Sequence, residues 1–314
     1  MPTVLVSMPV RDAHRRQITE AVPDCDVVFE LHPTDEQIFS ANAVVGNVAL
    51  DRLERADALE LVQLNSAGVG SYVDLLKGES NVRVCSATGA YGLAIAEHMF
   101  GVLLAIMKRL NGYRDQQRSG EWKDLGGVTS VYGARVLVIG LGNIGCEFAK
   151  RCNAFGAQVI GITRSRRKTP SFCEQTYTME EIDAQIPEAD VVFLSVPETK
   201  ETIRLMSHER ISRMKQGSIL LNCGRGSAVD TDALVDALNC GCLFGAGLDV
   251  TDPEPLPPEH PLWQCENALI TPHVSGGYHL PVTHDRIVEI ACQNLRAWRE
   301  GKTLRNLVDA ERGY

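Results

Sequence analysis

Ala134-Arg135-Val136-Leu137-Val138-Ile139-Gly140-Leu141-Gly142-Asn143-Ile144-Gly145 is the stretch on which the reading of this chain turns. Its first six residues are an apolar run of strand type. Gly140, Gly142 and Gly145 then stand in a G-x-G-x-x-G pattern. Residues 146–152 continue as a helix, and Gln158-Val159-Ile160-Gly161-Ile162 reads as a second strand. Strand, glycine turn, helix and strand at this spacing form a dinucleotide-binding unit. Glycine permits the tight turn and lets the backbone approach a pyrophosphate, whose charge then sits at a helix N-terminus.

The end of the second strand bears on which dinucleotide. An NAD site usually carries Asp or Glu there, to hold the ribose 2′-hydroxyl. Here the strand runs out in Thr163-Arg164-Ser165-Arg166-Arg167-Lys168. No acid is present, although the chain carries a formal net charge of −9. A local cationic cluster at that place suits a 2′-phosphate. The expected cofactor is therefore NADP(H), with NAD(H) also open.

Working outward, residues 1–92 alternate short apolar runs with polar helical stretches: Val4-Leu5-Val6, Val27-Val28-Phe29, Ala43-Val44-Val45, Leu61-Val62-Gln63-Leu64 and Val82-Arg83-Val84. That alternation is a parallel α/β pattern. One long amphipathic helix is expected from about Leu93 to Arg118. Further strands follow at residues 191–194, 218–221 and 268–270, and a last helix from about Pro281 to Glu300. The expected architecture is two doubly wound parallel-sheet α/β domains of Rossmann or flavodoxin-like type, with the active site in the cleft between them. Residues 1–92 plus 278–314 would make the substrate domain. Residues 93–277 would make the dinucleotide-binding domain, including the linking helix.

Composition fits such an enzyme. At 314 residues, with 44% hydrophobic content, the chain can bury a large core. The acidic balance argues against nucleic acid or an anionic membrane as partner. The apolar run near Met99 to Met107 is too short to span a bilayer, and the N-terminus reads as a strand rather than a signal peptide. The ten cysteines lack metal-ligand spacing, so no metal is expected. They read as buried free thiols, Cys240-Gly241-Cys242 included, in a cytoplasmic protein. Trp122, Trp263, Tyr91 and Tyr278 read as packing residues, with shaping of a substrate pocket as the alternative.

Three charged residues each follow a short apolar stretch: Arg225, Glu254 and His273. An Arg fork binds a carboxylate bidentately and stays charged. A His donates or accepts a proton near neutral pH. A nearby carboxylate fixes the tautomer and stabilises imidazolium. Arg225 and His273 lie just past expected strand ends, where open α/β sheets bind ligands. Behind a nicotinamide cradle, this set suggests hydride transfer to a 2-oxo acid.

The chain resembles the D-isomer-specific 2-hydroxyacid dehydrogenase family over nearly its whole length. The matching stretches are Leu64-Asn65-Ser66-Ala67-Gly68-Val69, Ala96-Glu97-His98, residues 138–145, Val196-Pro197-Glu198-Thr199, residues 221–226, Gly247-Leu248-Asp249-Val250, Asp252-Pro253-Glu254-Pro255 and Thr271-Pro272-His273-Val274-Ser275-Gly276. The resemblance implies Arg225 as substrate anchor, Glu254 as its orienting carboxylate and His273 as acid/base. It implies that the Ala67-Gly68 loop presents N–H groups to the substrate carboxylate. It places Gly140, Gly142, Asn143, Ile144, Gly145, Thr163, Arg164, Ser165, Arg166, Val196, Pro197, Thr202, Cys223, Gly224, Asp249, Ser275 and Gly276 against the cofactor, Asp249 at the nicotinamide amide. Where many members have Asp, this chain has Thr163-Arg164, which suits NADP-preferring glyoxylate or hydroxypyruvate reductases. The resemblance also implies a homodimer, the segment near Gly120-Glu121-Trp122 reaching across. The alternative class is a nucleotide-sensing, corepressor-like binding protein on the same fold. That reading needs a recruitment surface or disordered tails, and the sequence shows neither.

Overall fold

Short apolar runs separated by helices fold into two parallel sheets. The computed structural model describes residues 1–76, 81–278 and 280–309. The chain divides into two units, Met1–Tyr91 with Tyr278–Tyr314, and Gly92–Gly277.

In the first unit the strands are β1 (Thr3–Val6), β2 (Asp26–Phe29), β3 (Ala43–Val45), β4 (Leu61–Gln63) and β5 (Arg83–Cys85). They lie in the order β2-β1-β3-β4-β5, all pairs parallel. Ala43, Val44 and Val45 are buried, as are Leu61, Val62 and Gln63. Parallel strands covered by helices on both faces need such unbroken apolar runs. Helices Asp12–Ala21 and Pro281–Arg299 pack together.

The second unit carries β6 (Arg135–Ile139), β7 (Gln158–Thr163), β8 (Gln175–Thr178), β9 (Val191–Leu194), β10 (Ser218–Asn222), β11 (Leu243–Leu248) and β12 (Ala268–Ile270), in the order β12-β11-β10-β9-β6-β7-β8. Every residue of β9 and β10 is buried. Each such Leu, Ile, Val or Phe contributes about 1.5–3 kcal/mol through removal from water. Phe148, on helix Asn143–Ala154, stacks on Phe193 of β9 at 3.9 Å. The polar edge strand β8, Gln-Thr-Tyr-Thr, had no apolar run to mark it.

Three expectations are corrected. The long helix is two helices, Gly92–Met107 and Leu110–Ser119. Arg109 between them takes a left-handed conformation (φ 54°), held by its Nε donating to Gly127 O at 2.8 Å and its guanidinium over the Phe244 ring. Cys240 and Cys242 are not buried thiols: both are exposed and joined in a disulfide across Gly241, whose positive φ brings their Cα atoms to 5.5 Å. The other eight cysteines are free, and burial pushes the Cys85 and Cys152 thiols up to about 12. Trp122 packs against no core but is fully exposed, and Trp263 is half-exposed. Among the described residues no helix is long and apolar enough to cross a membrane.

Candidate active site

Strand order in the second unit reverses between β6 and β9, so the loops after those strands diverge and leave a crevice at their carboxyl ends. The glycine turn Gly140–Gly145 lies there. Gly140 has φ 94°, and a Cβ on it would lie 2.7 Å from Ser195 O. A Cβ on Gly145 would lie 2.0 Å from Gly140 O. Both glycines therefore have reasons inside the protein. Gly142 has none: its φ is −73°, and a Cβ would meet nothing within 4 Å. A bare backbone facing open space at the N-cap of a 12-residue helix, with no side-chain cap, fits a pyrophosphate. Asn143 opens that helix, with its side chain turned toward Gly92, and Ile144 is half-buried behind it. The crevice suits a dinucleotide.

Around it, Val196 is wedged between turns: a Cβ on Gly140 or on Gly224 would strike it at 3.1 or 2.6 Å. Thr202 donates to Pro197 O at 2.7 Å and so ties off the loop after β9. Cys223 is buried, its thiol pushed up by burial and by the nearby charge of Asp249. At the end of β7, Thr163 turns inward, its hydroxyl bonding Ser165 O (2.9 Å) and Tyr177 O (3.2 Å). Arg164, Ser165 and Arg166 are exposed. Arg166 lies 3.9 Å from Glu181. Arg167, part of the cationic cluster expected at a 2′-phosphate, instead donates to Leu141 O at 2.6 Å and so carries positive charge back onto the glycine turn.

The three candidate catalytic residues, Arg225, Glu254 and His273, follow the carboxyl ends of β10, β11 and β12. Asn222, last in β10 and fully buried, shapes the next turn by donating to Arg225 O (2.8 Å) and accepting from Gly224 N (3.0 Å). Arg225 is half-buried and donates to Gly224 O at 2.7 Å. Among the described residues no carboxylate lies within 4 Å of its guanidinium. Gly226 backs onto the loop that leads to Glu254, since a Cβ there would fall 1.8 Å from Thr251 O. His273 Nδ1 meets Glu254 Oε1 at 2.6 Å. A carboxylate can only accept, so Nδ1 carries the proton and Nε2 is left for a ligand. His273 has φ 51°, uncommon for a non-glycine residue. A cavity of about 230 Å³ lies beside the pair, lined in part by Leu256, Trp263, Ile270 and Pro272.

Asp249, expected at a nicotinamide amide, lies beneath the turn that bears His273. It is 1% exposed and its carboxylate is spent on the turn bearing His273. It accepts from Thr271 Oγ1 (2.6 Å), Val274 N (3.1 Å), Ser275 N (3.2 Å) and the Ser275 hydroxyl. Gly276 follows in the same turn. Sequence reasoning gave no role to Thr271, or to His98, whose Nε2 lies 3.0 Å from Thr271 Oγ1. Both stood within matched stretches, the one signal that could have found them.

In the first unit, the loop after β4 has every carbonyl from Asn65 to Gly68 engaged. Asn65 O accepts from the Tyr91 hydroxyl, Ser66 O from Ala87 N (2.8 Å), Ala67 O from Thr88 Oγ1 (3.5 Å) and Gly68 O from Ser66 Oγ (2.7 Å). Among the described residues no acceptor meets the N–H groups of Ser66, Ala67 and Gly68. Tyr278 pairs with the Asn65 side-chain amide. A loop with carbonyls spent and N–H groups unspent has the donors an anion needs.

Residues 100–275 match the family model of the D-isomer specific 2-hydroxyacid dehydrogenase NAD binding domain. A glyoxylate reductase of Korarchaeum cryptofilum is 31% identical over 309 residues, covering 95% of this chain and 86% of its own. A D-isomer specific 2-hydroxyacid dehydrogenase family protein of Aeromonas salmonicida superposes with TM-score 0.87 at 30% identity, covering 98% of this chain and 99% of that one. A D-isomer specific 2-hydroxyacid dehydrogenase of Xanthobacter autotrophicus, solved with NADPH and MES, superposes with TM-score 0.82 at 25% identity, covering 100% and 99%. With the glycine crevice and the Arg, Glu and His at three neighbouring strand ends, these likenesses show that the chain belongs to the D-isomer specific 2-hydroxyacid dehydrogenase family, enzymes that reduce 2-oxo acids with NAD(P)H.

Proposed function

We propose that the protein reduces a small 2-oxo acid, of the glyoxylate or hydroxypyruvate kind, to the D-2-hydroxy acid, with NADPH preferred over NADH. One observation carries the reading: His273 is tied through Nδ1 to Glu254 at 2.6 Å and leaves Nε2 unspent.

The roles follow from chemistry. When bound, a reduced nicotinamide supplies hydride to the carbonyl carbon. Negative charge then grows on the carbonyl oxygen, and His273 Nε2–H delivers the proton to it. Glu254 holds the ring in the matching tautomer and offsets the imidazolium charge. Arg225, whose guanidinium has no carboxylate within 4 Å among the described residues, binds the substrate carboxylate and polarises the carbonyl. The N–H groups of Ala67 and Gly68 receive carboxylate oxygen.

NADPH preference rests on Thr163 leaving no carboxylate to repel a 2′-phosphate, and on Arg164 with Ser165 and Arg166 standing exposed beside it. The NADPH held by the Xanthobacter relative supports it. A charge-assisted hydrogen bond to phosphate contributes about 1.5–3 kcal/mol, less where salt screens an exposed loop. The active form is a homodimer, for which the fully exposed Trp122 is the supporting feature. The eight free thiols suit a cytoplasmic setting.

The test is steady-state kinetics on a panel of 2-oxo acids with each cofactor. Glyoxylate or hydroxypyruvate should lead the panel. NADPH should exceed NADH by at least about tenfold in kcat/KM, and Thr163→Asp with Arg164→Ala should reverse the order. Equal or better use of NADH by the unaltered protein overturns the cofactor reading. In the same preparation, a scattering mass of 34.4 kDa rather than twice that overturns the dimer.

A further inference from the structure

A buried carboxylate without a strong cation is costly, and this protein keeps one next to its proton donor. Asp249 is 1% exposed. Among the described residues its only basic neighbour within 4 Å is His98 Nε2, at 3.9 Å. A charge so placed must be satisfied by hydrogen bonds. Asp249 obtains them from a single short segment, Thr271 to Ser275.

The bonds have a forced direction. The Thr271 hydroxyl has one proton, and at 2.6 Å from a carboxylate oxygen it donates there. His98 Nε2, 3.0 Å from the same hydroxyl oxygen, must then be the donor to Thr271. The chain therefore runs from His98 Nε2–H to Thr271 Oγ1–H to Asp249. On the far side, Asp249 Oδ1 accepts from Val274 N at 3.1 Å and Oδ2 from Ser275 N at 3.2 Å. Asp249 also binds the segment through its backbone, its carbonyl accepting from His273 N at 2.8 Å.

His273 lies inside this clamp, at φ 51°. A left-handed histidine is a strained conformation and persists only where its surroundings over-determine it. Donors on both sides of the strained residue, the Thr271 hydroxyl before it and the Val274 and Ser275 N–H groups after it, converge on Asp249. The clamp thus sets the backbone that aims the His273 ring at Glu254. His98 sits on the helix Gly92–Met107, far from Thr271 in sequence, so this tie is tertiary rather than local.

We infer that Thr271 and His98 are positioning residues for the proton donor: together they orient the Asp249 carboxylate, which holds the Thr271–Ser275 turn in the strained form that presents His273 to Glu254. This rests on His273 acting as acid/base in 2-oxo acid reduction. Neither residue needs to touch substrate or cofactor for the effect.

The experiment pairs kinetics with a readout that needs no turnover, the His273 Cε1–H resonance in protein labelled at histidine. That resonance is assigned by its loss in His273→Gln. Thr271→Val removes the hydroxyl at nearly constant volume. It should lower kcat for glyoxylate by about 10- to 100-fold, as for a misplaced catalytic group. KM and the NADPH dissociation constant should stay within about threefold. The His273 resonance should move toward its position in Glu254→Gln. Thr271→Ser should restore at least about half of kcat. His98→Leu should show a smaller loss, recovered in His98→Gln, which keeps an N–H donor. If Thr271→Val does not fold, the two His98 variants decide on the same readouts.

An unmoved resonance with kcat within twofold overturns the inference. So does a parallel fall of kcat, cofactor affinity and thermal midpoint that Thr271→Ser does not rescue, since that describes a merely structural threonine. A moved resonance in a protein that reduces no 2-oxo acid leaves the positioning intact and overturns the reductase reading instead.

Discussion

Two turns, one in each unit, solve opposite problems with the same backbone groups. The Asn65–Gly68 loop spends its carbonyls on Tyr91, Ala87, Thr88 and Ser66 and keeps the N–H groups of Ser66, Ala67 and Gly68 unspent. The Thr271–Ser275 turn spends the N–H groups of His273, Val274 and Ser275 on Asp249 and keeps a side chain, His273, free at Nε2. On the proposed reading the first is a receptor made of backbone and should govern binding. The second is a mount for one imidazole and should govern the proton step. Only interactions stronger in the transition state than in the ground state raise turnover. Damage at the two turns should therefore divide between KM and kcat.

Arg225 joins both tasks, and its replacement should cost most. Arg225→Lys keeps a charge but loses the planar fork, so kcat/KM for glyoxylate should fall by about 100-fold or more. Steady-state kinetics giving unaltered KM and kcat would remove it from the site. A smaller effect should follow from Ser66→Ala. Loss of the 2.7 Å bond to Gly68 O loosens the loop without touching the proton donor. KM should rise about three- to tenfold, in line with about 1 kcal/mol for one hydrogen bond, while kcat holds. A fall in kcat with KM unchanged would blur the division between the turns.

The smallest expected effect concerns acid. In the first unit, burial holds His284 below its ordinary value of 6.5, against the pull of the Pro9 carbonyl. Between its folded value and 6.5 the unfolded chain binds more protons, so stability rises with pH there. The contribution is complete above about 6.5 and is lost as pH falls through the folded value. In the second unit, Asp183 is held below 3.8 by hydrogen bonds from Arg210. Its contribution is present above 3.8 and is lost only as pH falls further. Hydrogen exchange corrected for intrinsic rates should therefore show residues 281–299 loosening between pH 7 and 5 while residues 182–212 hold. Equal loosening of both contradicts the assignment.

What could be read from the sequence was local. The glycine turn, its flanking strands and the basic run after Thr163 are contiguous, and each constrains its neighbours through a few bonds. Arg225, Glu254 and His273 were legible because each residue type matches one task of the same reaction. The rest depended on distance along the chain. Nothing local to Asp249 says that its carboxylate is buried under the His273 turn, or that His98 reaches Thr271 from another helix. Arg109 breaks a continuous helical pattern because Gly127 and Phe244 hold it in a left-handed form, and both are distant in sequence. For Trp122 the packing reading failed, because an apolar side chain carries no mark of whether its own chain covers it.

The most direct test of the division between the turns is single-turnover reduction of glyoxylate by NADPH-loaded protein, unaltered and with His273→Ala. Expected is a rate lower by about 100-fold or more in the variant, with NADPH binding as in the unaltered protein, as for a lost general acid. A His273→Ala protein that binds NADPH and reduces glyoxylate at close to the unaltered rate would contradict it.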